Sequence, residues 1–473
     1  MSGEVKEDVP LTKAAESLAS SDETVADDSK KVYKEKQDDE DDEDENLSTW
    51  MKFRQSGYLV IIVSFCAFVI DNLLIFGVEP LLPDILRVIT YPNSVTEWDA
   101  RKMFKVENGK GGNVTGNNTY DYLEDSTRIG IIVAAKPAAS LLTNFVAGYV
   151  VERFGHREPL IFGSFIQAIA CVGFAFAPNF GLLLLARAIQ GIGASFSVVP
   201  AMALVAHRFP GDAERSKVMG FVGSGVHVGS GLAFPFAALT YQFLGRRTPF
   251  YILAAMSVLD GIMRLFISAN KKDKKKANGV TISDYWSILT DGYIIVAMAG
   301  HFAFYFAFGV FMATAPAWMM SRLHAEIWQM GIILFISVVI LLTTQNITGY
   351  FAVTHGRWKF IFVSFILYGV PMFFYPLCKT IWEVIAVEFP LRVGNGIFLG
   401  IIYALLGTIV DQRHNSNYGV IYGLHMSFFT LAVIIGPLAG GFLLNYMSFS
   451  WLYRGTAIYV SLHALTALAF KKF

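Results

Sequence analysis

Gly148-Tyr149-Val150-Val151-Glu152-Arg153-Phe154-Gly155-His156-Arg157 is echoed 201 residues later by Gly349-Tyr350-Phe351-Ala352-Val353-Thr354-His355-Gly356-Arg357-Trp358. Each copy opens on Gly-Tyr, reaches a second glycine seven residues on and then turns basic. Each also lies between two apolar runs long enough to cross a bilayer, so each reads as a tight turn between spans. Pro235 and Pro437 repeat the echo at an offset of 202. An internal repeat of this kind predicts an all-α membrane protein of two parallel six-helix halves, with a site at their interface near the midplane.

The composition fits that reading. Of 473 residues, 54% are hydrophobic and only 16% charged, and mean hydropathy is +0.47. A soluble domain has about 45–50% apolar and about 25% charged residues, so a soluble enzyme, a nucleic-acid binder and a disulfide-stapled module are excluded. Runs of the required length fall near Tyr58–Leu82, Ile129–Val150, Pro159–Pro178, Phe180–Ala206, Val218–Phe243 and Pro249–Ser268. A second set follows near Tyr293–Met320, Ile327–Tyr350, Phe360–Leu377, Ile381–Ile409, Val420–Tyr446 and Leu452–Phe470. The expected organisation is an acidic tail over 1–50, a first half over 51–268 with an outer loop 84–128, a basic linker 269–290 and a second half over 291–473.

The zero net charge conceals two unlike parts. Residues 1–50 hold 17 Asp/Glu against 6 Lys, ending in the run Asp38–Glu45, and such a segment is expected to be disordered. It has no basic n-region or early apolar core, so it does not read as a cleaved signal peptide. The remainder carries 32 Lys/Arg against 21 Asp/Glu. Placing the N-terminus in the cytosol puts Arg153, Arg157, Arg208, Arg215, Arg357, Lys359, Arg413 and the cluster Lys271-Lys272-Asp273-Lys274-Lys275-Lys276 inside, as the positive-inside rule requires. Both termini are then cytosolic. Asn113-Val114-Thr115 and Asn117-Asn118-Thr119 fall in the outer loop, where Asn113 and Asn117 would be glycosylated. Cys66, Cys171 and Cys378 are isolated within apolar runs and offer neither a disulfide framework nor a metal site. No cofactor or metal is called for, and a monomer in the bilayer is expected.

Charge inside a membrane costs at least about 2.5–3.5 kcal/mol, which makes each instance a site candidate. Asp71 lies 13 residues beyond Tyr58, or ~20 Å at the helical rise, with no basic residue within a turn. It needs Lys136, water or a cationic ligand. Lys136 sits seven residues into the second span and Arg187 at similar depth in the fourth. Glu388 and Arg392 are spaced i, i+4 and can pair on one helix face. Glu79 and Asp84 read as solvated at the outer edge, and Arg264 as snorkelling from a helix end. His227, His301, His425 and His463 read as neutral, hydrogen-bonded helix residues, with a proton relay as the alternative. Glycines crowd the fifth and eleventh spans, where they allow close helix approach.

Several of these stretches resemble the vesicular amine transporters, the monoamine and acetylcholine carriers of the major facilitator superfamily. They are Gly148–Arg157, Asp71-Asn72-Leu73-Leu74, Arg187–Ser197, Ala315-Pro316-Ala317-Trp318-Met319-Met320 and Trp328-Gln329-Met330-Gly331. The most specific is Asp411-Gln412-Arg413-His414-Asn415-Ser416-Asn417-Tyr418-Gly419. The resemblance covers nearly everything after residue 56. It implies exchange of luminal protons for a cytosolic amine across a secretory or synaptic vesicle membrane. Asp71, Asn72, Lys136 and Trp318 would contact substrate. Asp71, Lys136, Arg187, Glu388, Arg392 and His425 would couple protons or gate. No sorting signal follows the last span, so vesicular targeting is implied by the resemblance alone.

The chain departs from the family at three acidic positions, which fall at Met312, Leu399 and Met426. The last removes the family's eleventh-span partner of Lys136, and the cysteines that join the luminal loops in vertebrate relatives are absent. A buried lysine left unpaired tends to lose its proton; Lys136 could instead pair with Asp71, close against Glu388 or await an anionic group on the substrate. One acid and one base remain, Asp71 and Lys136, which suits a zwitterionic or neutral solute better than a doubly acidic site does. A proton-independent facilitator of such a solute, or a non-transporting scaffold, is the alternative to an amine antiporter.

Overall fold

The computed structural model describes residues 56–82, 85–86, 89, 122–267, 281–325, 327–414 and 416–472. The acidic tail, Asn113, Asn117 and the lysine cluster at 271–276 lie outside the described residues. Within Gly57–Phe473 the spanning helices are α1 Gly57–Val78, α2 Tyr122–Phe154, α3 Arg157–Phe176, α4 Phe180–Arg208, α5 Asp212–Leu244 and α6 Thr248–Leu265. The second set is α7 Gly292–Leu323, α8 Ile327–His355, α9 Arg357–Phe374, α10 Ile381–Arg413, α11 Tyr418–Leu443 and α12 Phe449–Leu462. Among the described residues eleven of these are long and apolar enough to cross a membrane. The twelfth crossing is α12 together with the 3-10 run His463–Lys472.

Their packing repeats between the halves. α1 packs on α5, α2 on α4, α3 on α4 and α3 on α6; likewise α7 packs on α11, α8 on α10, α9 on α10 and α9 on α12. The halves meet along two seams, α2 with α11 and α5 with α8. Gly155 and Gly356 occupy matching turns with φ of 87° and 92°, a backbone region that suits glycine. The echo in the sequence is thus an echo in the fold: one supersecondary plan is built twice.

Two boundaries differ from the sequence reading. α2 begins at Tyr122, inside the segment expected to be loop through 128, because a polar first turn continues a helix whose apolar part starts later. The linker carries a short helix, Ile282–Leu289. Its Tyr285 hydroxyl donates to the Phe145 carbonyl of α2 at 2.8 Å, and Asp284 accepts from the Thr281 amide at 2.6 Å to cap its start. Charge near 271–276 obscured this amphipathic stretch.

Candidate functional site

Asp71 and Lys136 are carried by α1 and α2, and α4 and α5 bring those two helices into register. A Cβ at Gly191 of α4 would lie 2.3 Å from the Lys136 carbonyl, and one at Gly229 of α5 would lie 2.3 Å from the Val69 carbonyl. Only glycine permits backbones that close. Pro137, which has no amide proton, immediately follows Lys136 inside α2. The result places the Lys136 ammonium 3.5 Å from Asp71 Oδ2, with both residues buried.

Gln167 of α3 completes the carboxylate's surroundings, donating from Nε2 to Asp71 Oδ1 at 2.9 Å. The sequence reading missed it; a lone amide in the middle of an apolar span was the available signal. Asn72, next to Asp71, donates to the Phe68 carbonyl at 2.9 Å and so spends its amide on its own helix. Arg187 of α4 is fully buried. It donates to Gln190 Oε1 at 2.8 Å and reaches Glu79 Oε1 at 3.1 Å. Glu79 is therefore not simply solvated at the edge: the guanidinium holds it. Gln167 Oε1, Arg187 Nε and Gln190 Nε2 are buried without a hydrogen-bond partner among the described residues, so donor and acceptor capacity remains beside the carboxylate.

The second half holds its own pair. Arg392 donates from Nε to Glu388 Oε2 at 2.7 Å, Ser337 of α8 donates to the same oxygen at 3.3 Å, and the guanidinium lies 5.1 Å from the Phe311 ring. Lys136 and Ser337, and likewise Arg187 and Glu388, are 201 residues apart, so the two polar clusters are repeat-related. Glu388 meets Arg392 and Ser337 rather than Lys136. Trp318 stacks on Phe449 at 4.7 Å and lies 5.7 Å from Tyr375, so its ring finds its partners within the second half rather than at Asp71. His425 faces His301 at 2.7 Å.

Arg264 does not snorkel. It is fully buried in α6, 2.5 Å from Asp260 Oδ2, and donates to the Leu160 carbonyl at 2.5 Å and to Ser197 Oγ at 2.6 Å. The i, i+4 spacing of Asp260 and Arg264 was the legible sign. Through the Arg264 bonds to Leu160 and Ser197 the pair ties α3, α4 and α6 together.

The face where α1 begins and α2 ends, here called proximal, is closed by contacts between the halves, at the α2–α11 seam and where α5 meets α9 and α10. Arg215 of α5 bonds Asp411 of α10 at 2.5 Å, and Asp411 also accepts from Ser416 at 2.8 Å and from Tyr418. Arg357 of α9 pairs with Asp212 of α5, and Thr408 donates to Asp212 at 2.7 Å. Glu152 of α2 accepts from the Gly419 amide at 2.5 Å. Deeper in, Asn144 donates to Thr430 at 3.5 Å on one seam, and Gln345, 201 residues later, donates to the Gly220 carbonyl at 3.1 Å on the other. Asp291, at the start of α7, accepts from Arg413 at 2.5 Å and faces His414 at 3.0 Å. Burial alone would raise its pKa, but those bonds and the Tyr293 amide outweigh it and hold the carboxyl below its usual value.

A profile of the Major Facilitator Superfamily matches residues 113–413 and, in a second match, 297–472. The synaptic vesicular amine transporter of Mus musculus is 30% identical over 454 residues, 86% of this chain and 87% of that protein. The probable vesicular acetylcholine transporter-B of Danio rerio is 28% identical over 414 residues, 86% of this chain and 78% of the other. Among solved structures, the human organic anion transporter MFSD10 superposes with a TM-score of 0.72 at 15% identity, covering 87% of this chain and 99% of its own. That likeness speaks for the fold alone.

Proposed function

The chain belongs to the Major Facilitator Superfamily, whose members are transporters and not enzymes, and from that premise we propose that this multi-pass membrane protein exchanges protons for a small organic cation by alternating access. The observation that carries the reading is Asp71, a carboxylate buried inside α1 whose only fixed partners among the described residues are a 3.5 Å ammonium and one amide. A loose ion pair of this kind can trade Lys136 for the ammonium of a solute, or for a proton, at modest cost. Gln167 orients the carboxylate; Asn72 supports it from the same helix. Lys136 supplies the positive charge that replaces a departing cation. Arg187 holds the distal end of α1 through Glu79, and Glu388–Arg392 is the second half's counterpart. The proximal closure between the halves is assigned to the state in which solute and proton exchange with the far side. A secretory-vesicle location and cytosolic termini follow from the likeness to the vesicular carriers and the basic proximal loops.

Uptake of labelled amines and amino acids into proteoliposomes, with and without an acid interior, tests the reading. Uptake of an amine that rises with the gradient supports exchange; no gradient-dependent uptake of any member of the panel rejects it. A second reading has its own observation. With methionine at 426, Asp71 is the one carboxylate among the described residues in an ion pair with Lys136, an acid–base couple that matches a zwitterion, so gradient-indifferent amino-acid uptake would identify a facilitator.

A further inference from the structure

We propose that the hydrogen-bonded pair His301–His425 is the proton-binding group of the second half and that Tyr403 transmits its charge state to the α5 seam. This rests on the carrier reading above and assigns to that carrier a proton site distinct from Asp71.

His301 projects from α7 and His425 from α11, and both are almost fully buried. His425 Nε2 and His301 Nδ1 are 2.7 Å apart, with the rings perpendicular and their centres 4.2 Å apart. One N–H···N bond between two neutral imidazoles uses one donor and one acceptor. The outer nitrogens, His301 Nε2 and His425 Nδ1, are buried and have no hydrogen-bond partner among the described residues. Whichever ring donates, one of these outer atoms is a bare acceptor and the other an unbonded N–H. A histidine kept only for packing would satisfy such atoms on a backbone carbonyl. Here the bare nitrogen can take a proton, which leaves one positive charge shared by a pair already joined by a hydrogen bond.

The surroundings suit that charge. Tyr305 stacks on His301 at 4.8 Å, Tyr403 lies 5.0 Å from His425, and Phe398 and Phe429 lie 5.9 and 6.1 Å from His301. Aromatic faces attract a cation. Among the described residues the titratable groups facing the pair are Tyr305 of α7 and Tyr403 of α10; Tyr368 of α9 stands two rings farther off, behind Phe398 and Phe304. On α10, Glu388 and Arg392 neutralise each other. On α2, packed against α11, Lys136 is paired with Asp71. No fixed carboxylate among these groups is left to balance a proton, so in the closed form the charged pair lacks a counter-charge. Hydration on opening supplies the missing solvation.

Tyr403 links the pair to the seam. Its ring faces His425 on one side, and on the other its Cε2 lies 3.2 Å from where a Cβ on Gly223 of α5 would sit. Its carbonyl accepts from Tyr422 at 2.9 Å. Protonation thus favours the proximally open form, and acid pH drives opening.

The test is maleimide labelling of Val151→Cys, at the α2–α11 seam beside Gly419, in full-length protein whose Cys66, Cys171 and Cys378 are serine. A single linked proton changes the open population by at most about tenfold per pH unit. Between about pH 7.5 and about pH 5.5 the labelling rate is expected to rise about fivefold or more. The rise should vanish in His425→Gln, and in His301→Phe should one variant misfold, with the rate near pH 7.5 unchanged. A rise that survives both substitutions places the proton elsewhere and overturns the proposal, as does a parent rate flat with pH. Histidine-dependent labelling without uptake of any solute would keep the proton site and reject the carrier reading.

Discussion

Gly148→Ala is the perturbation that addresses the proximal closure most directly. Its new Cβ would stand 2.6 Å from the Gly419 carbonyl oxygen and 3.1 Å from the Gly419 carbonyl carbon. Both are backbone atoms of α11, so no side-chain rotation relieves the contact, and α2 and α11 must part by several tenths of an ångström. Overpacking of this kind costs about 1–3 kcal/mol. Because the contact exists only while the seam is closed, the cost falls on the closed state and shifts the closed-to-open ratio by about 5- to 150-fold. Gly349→Ala should act alike on the other seam, where its Cβ would lie 2.8 Å from the Ser216 carbonyl oxygen. Gly441→Ala is the control, since among the described residues no atom beyond its own helix turn lies within 4 Å of its added carbon. The assay is the labelling rate of Val151→Cys from the proximal side, which should rise in both seam variants and stay level in the control. A Gly148→Ala rate equal to the parent's would refute the claim that this packing holds the proximal face shut.

Three further outcomes follow from the buried polar groups. Arg264→Met strands Asp260 in a fully buried position and should destabilise the protein by about 3–5 kcal/mol, with much of the loss restored in Asp260→Leu/Arg264→Met; detergent-phase thermal unfolding measures both. Gln167→Met removes the 2.9 Å bond to Asp71, a hydrogen bond to a charged group worth about 1.5–3 kcal/mol, and should weaken solute affinity at least about tenfold in a binding titration. Asp291, whose folded pKa is depressed, contributes stability that is present above the unfolded carboxyl's value of about 3.9 and lost as pH falls through the lower folded value. The stability gap between parent and Asp291→Asn should therefore be constant near neutrality and close only in that acid window, as followed by unfolding at a series of pH values.

The fold was legible because lipid enforces it. Apolar runs of fixed length leave little choice but helices, and the Gly148–Gly349 echo declared that one half is built twice. Pairs within a helix were legible too, since Glu388–Arg392 follows from i, i+4 spacing alone. Pairs between helices were not. Gln167, Glu79–Arg187 and His301–His425 depend on which faces of α1, α3, α4, α7 and α11 meet, and spacing along one chain carries no such information. The pairing of Lys136 with Asp71 stood among the alternatives, and selection among them required the packing around Gly191 and Gly229. Asn144 and Gln345 were readable at the repeat offset, as amides at matched depth in apolar spans. The helix Ile282–Leu289 was masked by the lysines before it.

The measurement that bears most directly on the account is the interior pH of proteoliposomes when an amine is added outside. A permanently charged quaternary amine removes the contribution of a weak base carrying its own proton equilibrium. The account predicts that a transported quaternary amine raises the interior pH of an acid-loaded vesicle, and that Asp71→Asn abolishes both the uptake and the pH change. Uptake that leaves interior pH unaltered, or exchange of undiminished size in Asp71→Asn, would contradict it.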